Sequence, residues 1–456
     1  MNKIDLGKIK SKQWYRQGAI AIPWFIHLPY IGARDMVGEE EIVTYEGRNN
    51  VGYLDKEFEL GKIKKIIELQ KKGEYTQEKR NLWREKTEET IKLIENINFE
   101  ELGDSKIIEL CKKIGNDLLE EWRICSHIDM FDPWGEEIVE KELEKFGINL
   151  KEEELIALTS SPEPNLLQKE KIDRFDLIQK MEFEKKIGEH TKKYFYLLNS
   201  WGEAKELGEE YFLSLAEDSD LGEEVKKIED NLNKIKKENS RLKNILPNEL
   251  YRILNLFSEL SSWREERKEH IMLLNHYLYE LLKEISKRSK TNIHLLEFAV
   301  QDEIKSLSFS KEYLDELEKR RKISIYSNQF GWVYGEKALE IIEMLDESFE
   351  QKEIRGNVAC KGIARGRVKV IKIPEDFDKF NKGDILVTIM TRHEHSPLMK
   401  KASAIVTDEG GITCHAAIVS REFGIPCIVG TQVATITLND GELIEVNANK
   451  GVVKRL

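Results

Sequence analysis

One histidine in this chain is placed where it could carry a phosphoryl group. The run Gly410-Gly411-Ile412-Thr413-Cys414-His415 leads directly into a helix-like segment. Two consecutive glycines permit a tight turn and let a phosphate approach the backbone closely. The first turn of a helix presents unpaired N–H groups and partial positive charge, and both favour a phosphoryl group. Because a neutral imidazole is nucleophilic at neutral pH, these residues predict a phosphohistidine at His415.

Two neighbours complete the predicted loop. Thr413 supplies a hydroxyl that either caps the helix or contacts the phosphate. Cys414 adjoins the nucleophile, and we interpret it as a loop residue and not as a redox centre. A glycine pair before a helix is also a common turn, and a histidine at a helix start is often a cap or a core residue. The surrounding elements therefore have to decide between a phosphate site and an ordinary turn.

The C-terminal part of the chain, residues 355–456, is typical of short strands separated by glycine turns. One clear helix lies among them, from His415 to about Phe423, and it is closed by Gly424. The predicted strands are rich in β-branched residues and lie at 367–371, 384–388, 404–407, 427–429 and 443–446. These patterns predict a compact α/β domain that holds the histidine between a strand and a helix.

The larger part of the chain, residues 1–350, predicts a mainly α-helical domain. It is rich in Lys, Glu, Leu and Ile, and its apolar residues recur at helical spacing. Long helices are predicted at 221–246 and at about 249–287. The one segment that looks extended is a small hairpin, formed by Ile42–Tyr45 and Val51–Leu54.

Composition argues against several classes of protein. The chain has 456 residues and a formal net charge of -12, so nucleic-acid binding is not expected. Its five cysteines are scattered without a CxxC pair, so we assign neither a metal site nor a disulfide framework. No stretch approaches about 18 consecutive apolar residues, and the N-terminus has no apolar leader. We expect a cytoplasmic protein with no membrane span.

Two polar clusters in the helical half could line a pocket for a phosphoryl acceptor. One surrounds Trp122 and Trp134, and the other follows Trp263 along one helix face. The competing interpretation is that the tryptophans belong to the core and that the Arg–Glu mixtures form solvated helix faces. The candidate acceptor-binding residues are Arg123, His127, Arg264, Arg267 and His270.

The run from Gly410 to Arg421 resembles the phosphohistidine signature of the phosphoenolpyruvate-utilising enzymes. That family includes pyruvate, water dikinase, pyruvate phosphate dikinase and rifampin phosphotransferase. Flanking segments agree, among them Gly383–Val387 and Glu422–Pro426. The resemblance implies that 355–456 is a swivelling phosphohistidine domain. It also implies that His415 is phosphorylated and that its loop is formed by Gly410, Gly411, Thr413 and Cys414.

The helical half also resembles a known domain. Segments Ile293–Phe298 and Gln301–Ile304 are similar to the helical domain that holds the acceptor in rifampin phosphotransferase-like proteins. The expected architecture is therefore multidomain, α and α/β. A large, mainly α-helical acceptor-binding domain at 1–350 precedes a small C-terminal α/β swivelling phosphohistidine domain at 355–456.

The resemblance implies a phosphotransferase of the dikinase type. Relatives that load the histidine from ATP have an ATP-grasp domain, and relatives that use phosphoenolpyruvate have a C-terminal barrel; this sequence shows neither. We therefore expect one subunit of a split dikinase, similar to phenylphosphate synthase and inactive without a separate ATP-grasp partner. Mg²⁺ would be bound with ATP on that partner, and no cofactor directly by this chain. The small domain would swing about a hinge near 345–357.

Two other functions fit the same parts. Pyrrole-condensing ligases resemble this arrangement and use phosphoryl transfer to activate a substrate for bond formation. A non-catalytic phosphocarrier or regulatory binding protein is the third hypothesis, and the intact run around His415 argues against it. The acceptor is a small molecule in the first hypothesis, and the sequence does not identify it.

Overall fold

A computed structural model describes most of the chain. The described residues are 6–20, 41–46, 49–73, 75–199, 204–216, 219–327, 329–347, 354–372, 374–391, 395–411 and 414–456. The expected hinge near 345–357 lies partly outside these ranges. None of the described helices is both long enough and apolar enough to cross a membrane.

Helices dominate the chain as far as Glu347. They are α1 (Leu6–Ser11), α2 (Lys56–Lys71), α3 (Tyr75–Ile94), α4 (Asp104–Cys125), α5 (Phe131–Phe146), α6 (Glu152–Thr159), α7 (Leu166–Gln179), α8 (Phe183–Tyr194), α9 (Glu209–Ser214), α10 (Leu221–Ile245), α11 (Asn248–Ser289), α12 (Ile293–Leu296), α13 (Lys311–Lys322) and α14 (Glu336–Glu347). Short 3₁₀ turns occur at Phe99–Glu101, Ser126–Asp129 and Gln301–Glu303.

Helix α11 is the axis of the helical part. It has 42 residues, and α2, α3, α5 and α6 pack along it. Its buried residues lie on more than one face: Leu254 and Leu256, about 200° apart around the helix axis, are both fully buried. A helix that is apolar on several sides is covered on several sides. The predicted long helices are confirmed as α10 and α11.

A five-stranded antiparallel sheet corrects the prediction of a lone hairpin in this part of the chain. Its strands are β1 (Trp14–Ile20), β2 (Glu41–Glu46), β3 (Asn49–Asp55), β4 (Ile323–Ser327) and β5 (Gly331–Tyr334), in the order β1-β3-β2-β4-β5. The predicted hairpin is β2–β3. Strand β4 pairs with β2 across a long sequence separation, with Thr44 opposite Ile325. Such a pairing depends on tertiary contacts, so local periodicity could not indicate it.

The C-terminal part forms an eight-stranded mixed sheet. Its strands are β6 (Ile354–Arg355), β7 (Asn357–Cys360), β8 (Ile363–Ile371), β9 (Ile385–Thr388), β10 (Ala404–Thr407), β11 (Cys427–Val429), β12 (Leu443–Asn447) and β13 (Val452–Arg455). The helices are α15 (Ser396–Met399), α16 (His415–Phe423) and α17 (Ala434–Thr437), with a 3₁₀ turn at Pro374–Lys379. The strand order is β6-β13-β12-β8-β9-β10-β11-β7.

The centre of this sheet is parallel and buried. Strands β8, β9, β10 and β11 run parallel, and every residue of β9, β10 and β11 is buried. A parallel strand that is covered on both faces is continuously apolar, which is why these strands were recognisable in the sequence. The five predicted strands are confirmed as β8 to β12.

One hydrophobic core joins the two sheets. Trp14 and Tyr53 of the five-stranded sheet share this core with Val368 and Val446 of the eight-stranded sheet. Ile341 of α14, the helix that precedes the C-terminal part, belongs to the same core. The opposite face of the five-stranded sheet packs into the helical part. The small sheet is therefore a layer between the helices and the C-terminal α/β region.

The central strand β10 should depend strongly on its buried isoleucine. Ile405 is fully buried, whereas Ile363 in β8 is 55% exposed. We expect Ile405→Ala to destabilise the C-terminal part by about 2–5 kcal/mol, because it leaves a cavity. The matched variant Ile363→Ala should change stability by less than about 1 kcal/mol. Differential scanning calorimetry of the full chain measures both, and equal shifts in the two variants would contradict the burial of β10.

Candidate functional site

His415 lies at the carboxyl edge of the parallel strands. Strand β10 ends at Thr407, the chain turns through Gly410 and Gly411, and α16 begins at His415. In open α/β sheets ligands bind outside the carboxyl ends of the strands, and the N-terminus of a helix there favours an anion. Thr413 lies outside the described residues, so its predicted contact with the phosphate stays a prediction.

A threonine from the neighbouring strand orients the imidazole. The Oγ1 of Thr391 lies 2.8 Å from Nδ1 of His415, and Thr391 is buried a few residues beyond the end of β9. When Nδ1 carries the proton and donates it to the threonine oxygen, Nε2 presents its lone pair. The sequence did not single out Thr391. Its position just beyond the carboxyl end of a buried parallel strand was the available signal.

At Gly410, the first residue of the glycine pair, only glycine fits without steric conflict. Gly410 has φ 107°, and a Cβ added there would lie 2.6 Å from Sγ of Cys414. A Cβ added to Gly430 would lie 3.0 Å from the carbonyl oxygen of Gly410. The loop is therefore packed against its own end and against the next strand's turn. Gly411 is partly buried in the same loop.

Cys414 is the residue that precedes the helix. Burial raises the pKa of its thiol, although the backbone N–H groups of Ala416 and Ala417 act in the opposite direction. A protonated thiol is a weak nucleophile, which agrees with the interpretation of Cys414 as a loop residue. At its other end α16 is closed by Gly424, with φ 64°.

Asp408 organises the loop from beneath. Its buried carboxylate accepts hydrogen bonds from the Oγ1 of Thr431 at 3.0 Å and from the backbone N–H and hydroxyl of Thr435. Arg16 of β1 approaches the same carboxylate, with Nη1 3.4 Å from Oδ2. The sequence singled out neither Asp408 nor Arg16 as a site residue. Nothing local links Arg16 to a loop almost 400 residues later.

Four of the five candidate acceptor residues lie together in the helical part. Arg267 pairs with both carboxylate oxygens of Asp129 at 2.7 Å, and Nε2 of His270 lies 2.9 Å from Oε2 of Glu121. Arg264 lies near enough to Asp129 to feel its charge, and His127 packs edge-on against the Trp263 ring at 5.5 Å. The fifth, Arg123, lies on the exposed side of α4, paired with Glu120, and its acceptor role stays a prediction.

These residues adjoin a group of rings that we call the aromatic cluster. The cluster comprises Trp83, Trp122, His127, Phe131, Trp134 and Trp263, with Tyr15, Tyr75 and Phe257 at its edge. The Arg267 guanidinium lies 4.8 Å from the centre of the Trp122 ring. The interpretation of the tryptophans as core residues is therefore correct for their burial, and charged pairs lie within the same core.

Two polar atoms in the aromatic cluster lack partners. Nε2 of His127 and Nε1 of Trp263 are buried and make no hydrogen bond to the described residues. Burial lowers the pKa of His127 to about 3, with the charges of Lys62 and Lys79 acting in the same direction. The imidazole is therefore neutral near pH 7. Leaving a buried polar atom unpaired costs about 1–3 kcal/mol, so these two atoms are suited to meet a polar ligand.

The structure shows no cluster suited to a metal ion within the part of the chain that it describes. Among those residues, no group of three or more His, Cys, Asp or Glu side chains is arranged to hold one. Carboxylates of the helical part pair with Lys, Arg or His side chains, as Asp117, Asp129 and Glu121 illustrate.

Comparison with known proteins identifies the C-terminal part. Residues 380–451 match the family described as PEP-utilising enzyme, mobile domain. A probable phosphoenolpyruvate synthase of Methanothermobacter thermautotrophicus is 49% identical over 119 residues, covering 25% of this chain and 17% of the relative. Its counterpart in Archaeoglobus fulgidus is 52% identical over 111 residues, covering 24% of this chain and 15% of the relative.

A third relative has a less specific name. It is an uncharacterised phosphotransferase of Bacillus subtilis, YvkC, 44% identical over 108 residues, which cover 24% of this chain and 13% of the relative. The chain thus spans less than a fifth of the length of each of these relatives. The phosphoenolpyruvate synthase matches fall on the C-terminal part, where the family match lies. The C-terminal region of this chain belongs to the swivelling phosphohistidine, or mobile, domain family of the PEP-utilising phosphotransferases.

Proposed function

We propose that this chain carries a phosphoryl group on His415 from a separate ATP-grasp partner to a small-molecule acceptor bound by the helical part. The observation that carries the proposal is the histidine's position at the start of α16, with Nδ1 held by Thr391. That contact directs Nε2 to take the phosphoryl group. The similarity to phosphoenolpyruvate synthases and to a phosphotransferase supports the reaction class.

The loading step belongs to the partner. Nε2 of His415 attacks the β-phosphorus of Mg-ATP bound there, the bond from that phosphorus to the AMP oxygen breaks, and AMP leaves. Water then removes the terminal phosphate as inorganic phosphate, which leaves the β-phosphoryl group on Nε2. The magnesium ion stays with the nucleotide, because its ligands normally include phosphate oxygens. At the start of α16, free N–H groups and the helix dipole stabilise the charge on phosphorylated His415.

The transfer step uses the aromatic cluster. An acceptor hydroxyl attacks phosphorus, the O–P bond forms as the N–P bond to His415 breaks, and the hydroxyl proton is lost to solvent. Neutral His127 accepts a hydrogen bond from that hydroxyl and orients it. Arg264 and Arg267 supply positive charge near the transferred group, and the surrounding tryptophan rings favour a planar, apolar acceptor body.

Phosphorylation of His415 is the first test. The full chain is mixed with Mg²⁺ and ATP labelled on its β-phosphate, with and without a candidate ATP-grasp protein. We expect an acid-labile, base-stable label only with that protein, and none on His415→Ala. His294→Ala is the matched control, because the His294 side chain is 76% exposed, and it should label like the wild type. Absence of label with a folded, nucleotide-bound partner would favour a binding role instead.

Thr391 should matter for the rate of phosphorylation and little for folding. Thr391→Val removes the hydroxyl that contacts Nδ1 of His415. Loss of one hydrogen bond of about 1.4 kcal/mol should slow single-turnover labelling about tenfold. Thr159→Val, which removes a hydroxyl bonded within α6, should label at the wild-type rate. Equal rates for both variants would exclude an orienting role for Thr391.

His127 should trade stability for function. His127→Phe keeps a ring against Trp263 and removes the buried Nε2 that has no partner in the described structure. We expect the melting temperature to stay level or rise, because an unpaired buried polar atom is removed. Discharge of phosphorylated protein by a panel of hydroxylated aromatic compounds, starting with phenol, should be lost. His294→Phe controls for ring substitution, and discharge unaltered in His127→Phe would remove the aromatic cluster as the acceptor site.

A further inference from the structure

Strand β1 lies between the aromatic cluster and the loop that precedes His415. Successive side chains on a strand point to opposite faces, and β1 uses both faces. The ring of Tyr15 packs on Trp134 of the aromatic cluster, with centroids 5.2 Å apart. The next residue, Arg16, reaches the carboxylate of Asp408. Two adjacent residues thus connect the helical part to the phosphohistidine loop.

The contact between Arg16 and Asp408 is a buried charge pair. The side chains are 5% and 1% exposed, and Nη1 lies 3.4 Å from Oδ2. A second carboxylate, Asp346 of α14, lies 3.7 Å from Nε of Arg16 and accepts a hydrogen bond of 2.5 Å from the hydroxyl of Tyr53. Tyr53 is the direct cross-strand neighbour of Arg16. One guanidinium therefore ties β1, β3, α14 and the phosphohistidine loop together.

The two sides of this contact are built differently. Asp408 belongs to the C-terminal part, and its hydrogen bonds from Thr431 and Thr435 lie entirely within that part. Arg16 belongs to the five-stranded sheet. Separating the two parts would leave the Asp408 carboxylate in its threonine setting and return both charges to water. The two buried charges attract each other strongly, and when the contact opens, hydration of both charges offsets much of the attraction that is lost. The net free-energy cost of opening is therefore moderate, which suits a contact that must form and break.

We infer that Arg16 is a positioning residue that holds the phosphohistidine loop docked on the five-stranded sheet. The inference rests on the proposed function, because a mobile phosphohistidine domain must leave this position to be loaded. The shared core of Trp14, Tyr53, Val368 and Val446 supplies the area of contact. The charge pair supplies its register, since only one alignment brings Arg16 to Asp408.

Replacement of Arg16 tests this. Arg16→Met removes the charge and leaves Asp408 without its cation, so the undocked fraction should rise on the order of 100-fold. Tyr53, 1% exposed in the shared core, should then be oxidised by hydroxyl radicals correspondingly faster, and small-angle X-ray scattering should show a larger maximum dimension. Circular dichroism should stay at the wild-type level. Arg16→Lys, which keeps the charge, should restore most of the protection.

Matched controls separate docking from folding. Arg365→Met removes an exposed cross-strand pair with Glu445 and should leave both readouts unchanged. If Arg16→Met does not fold, Tyr53→Phe weakens the same network through Asp346 and should show a smaller rise in radical oxidation of Trp14. Wild-type scattering and oxidation in the folded Arg16 variant, or no rescue by lysine, would overturn the inference.

Chemical loading distinguishes this inference from the proposed function. Phosphoramidate phosphorylates accessible histidines without a protein partner, so it can load His415 directly. Arg16→Met should be labelled at His415 at least as fast as the wild type, because undocking exposes the loop. Failure to label His415 in both the wild type and the Arg16 variant would count against the proposed function. Slower labelling in the Arg16 variant would count against the positioning role of Arg16 alone.

Discussion

The arrangement of this molecule depends on the hydrogen bonds and the ion pair of one buried carboxylate, that of Asp408. Within its own domain it accepts hydrogen bonds from Thr431 and Thr435, and these fix the start of the loop that leads to His415. Across the domain contact it receives Arg16. A carboxylate that is buried this deeply has to be fully partnered. The same requirement therefore shapes the phosphohistidine loop and determines where the loop rests on the rest of the protein.

The phosphohistidine loop rests on the five-stranded sheet. Both faces of this sheet are covered, one by the helical part and the other by the phosphohistidine domain. Tyr15 and Arg16 place one contact on each face of β1. A single strand, β1, thus lies between the histidine loop and the aromatic cluster.

The aromatic cluster combines features that a purely structural core avoids. Interiors generally satisfy their polar atoms, yet His127 and Trp263 each bury a polar atom without a partner in the described structure. Arg267 and Asp129 bury opposite charges beside them. A core selected for stability alone would replace these groups with apolar ones at little cost or even a gain. Their presence is the observation that supports the proposed acceptor site in this part of the helical region.

The sequence by itself determined the local features. Glycine spacing, strand texture and the helix at His415–Phe423 follow from backbone sterics and side-chain periodicity, and the C-terminal family follows from the same run of residues. Only the tertiary structure decided what lies far apart in the chain. It paired β4 with β2, brought Thr391 to His415, and joined Arg16 to Asp408. It also separated Arg123 from the other candidate acceptor residues. Contacts of this kind arise from the packing of distant segments around a shared core, and no local pattern of residue types records them.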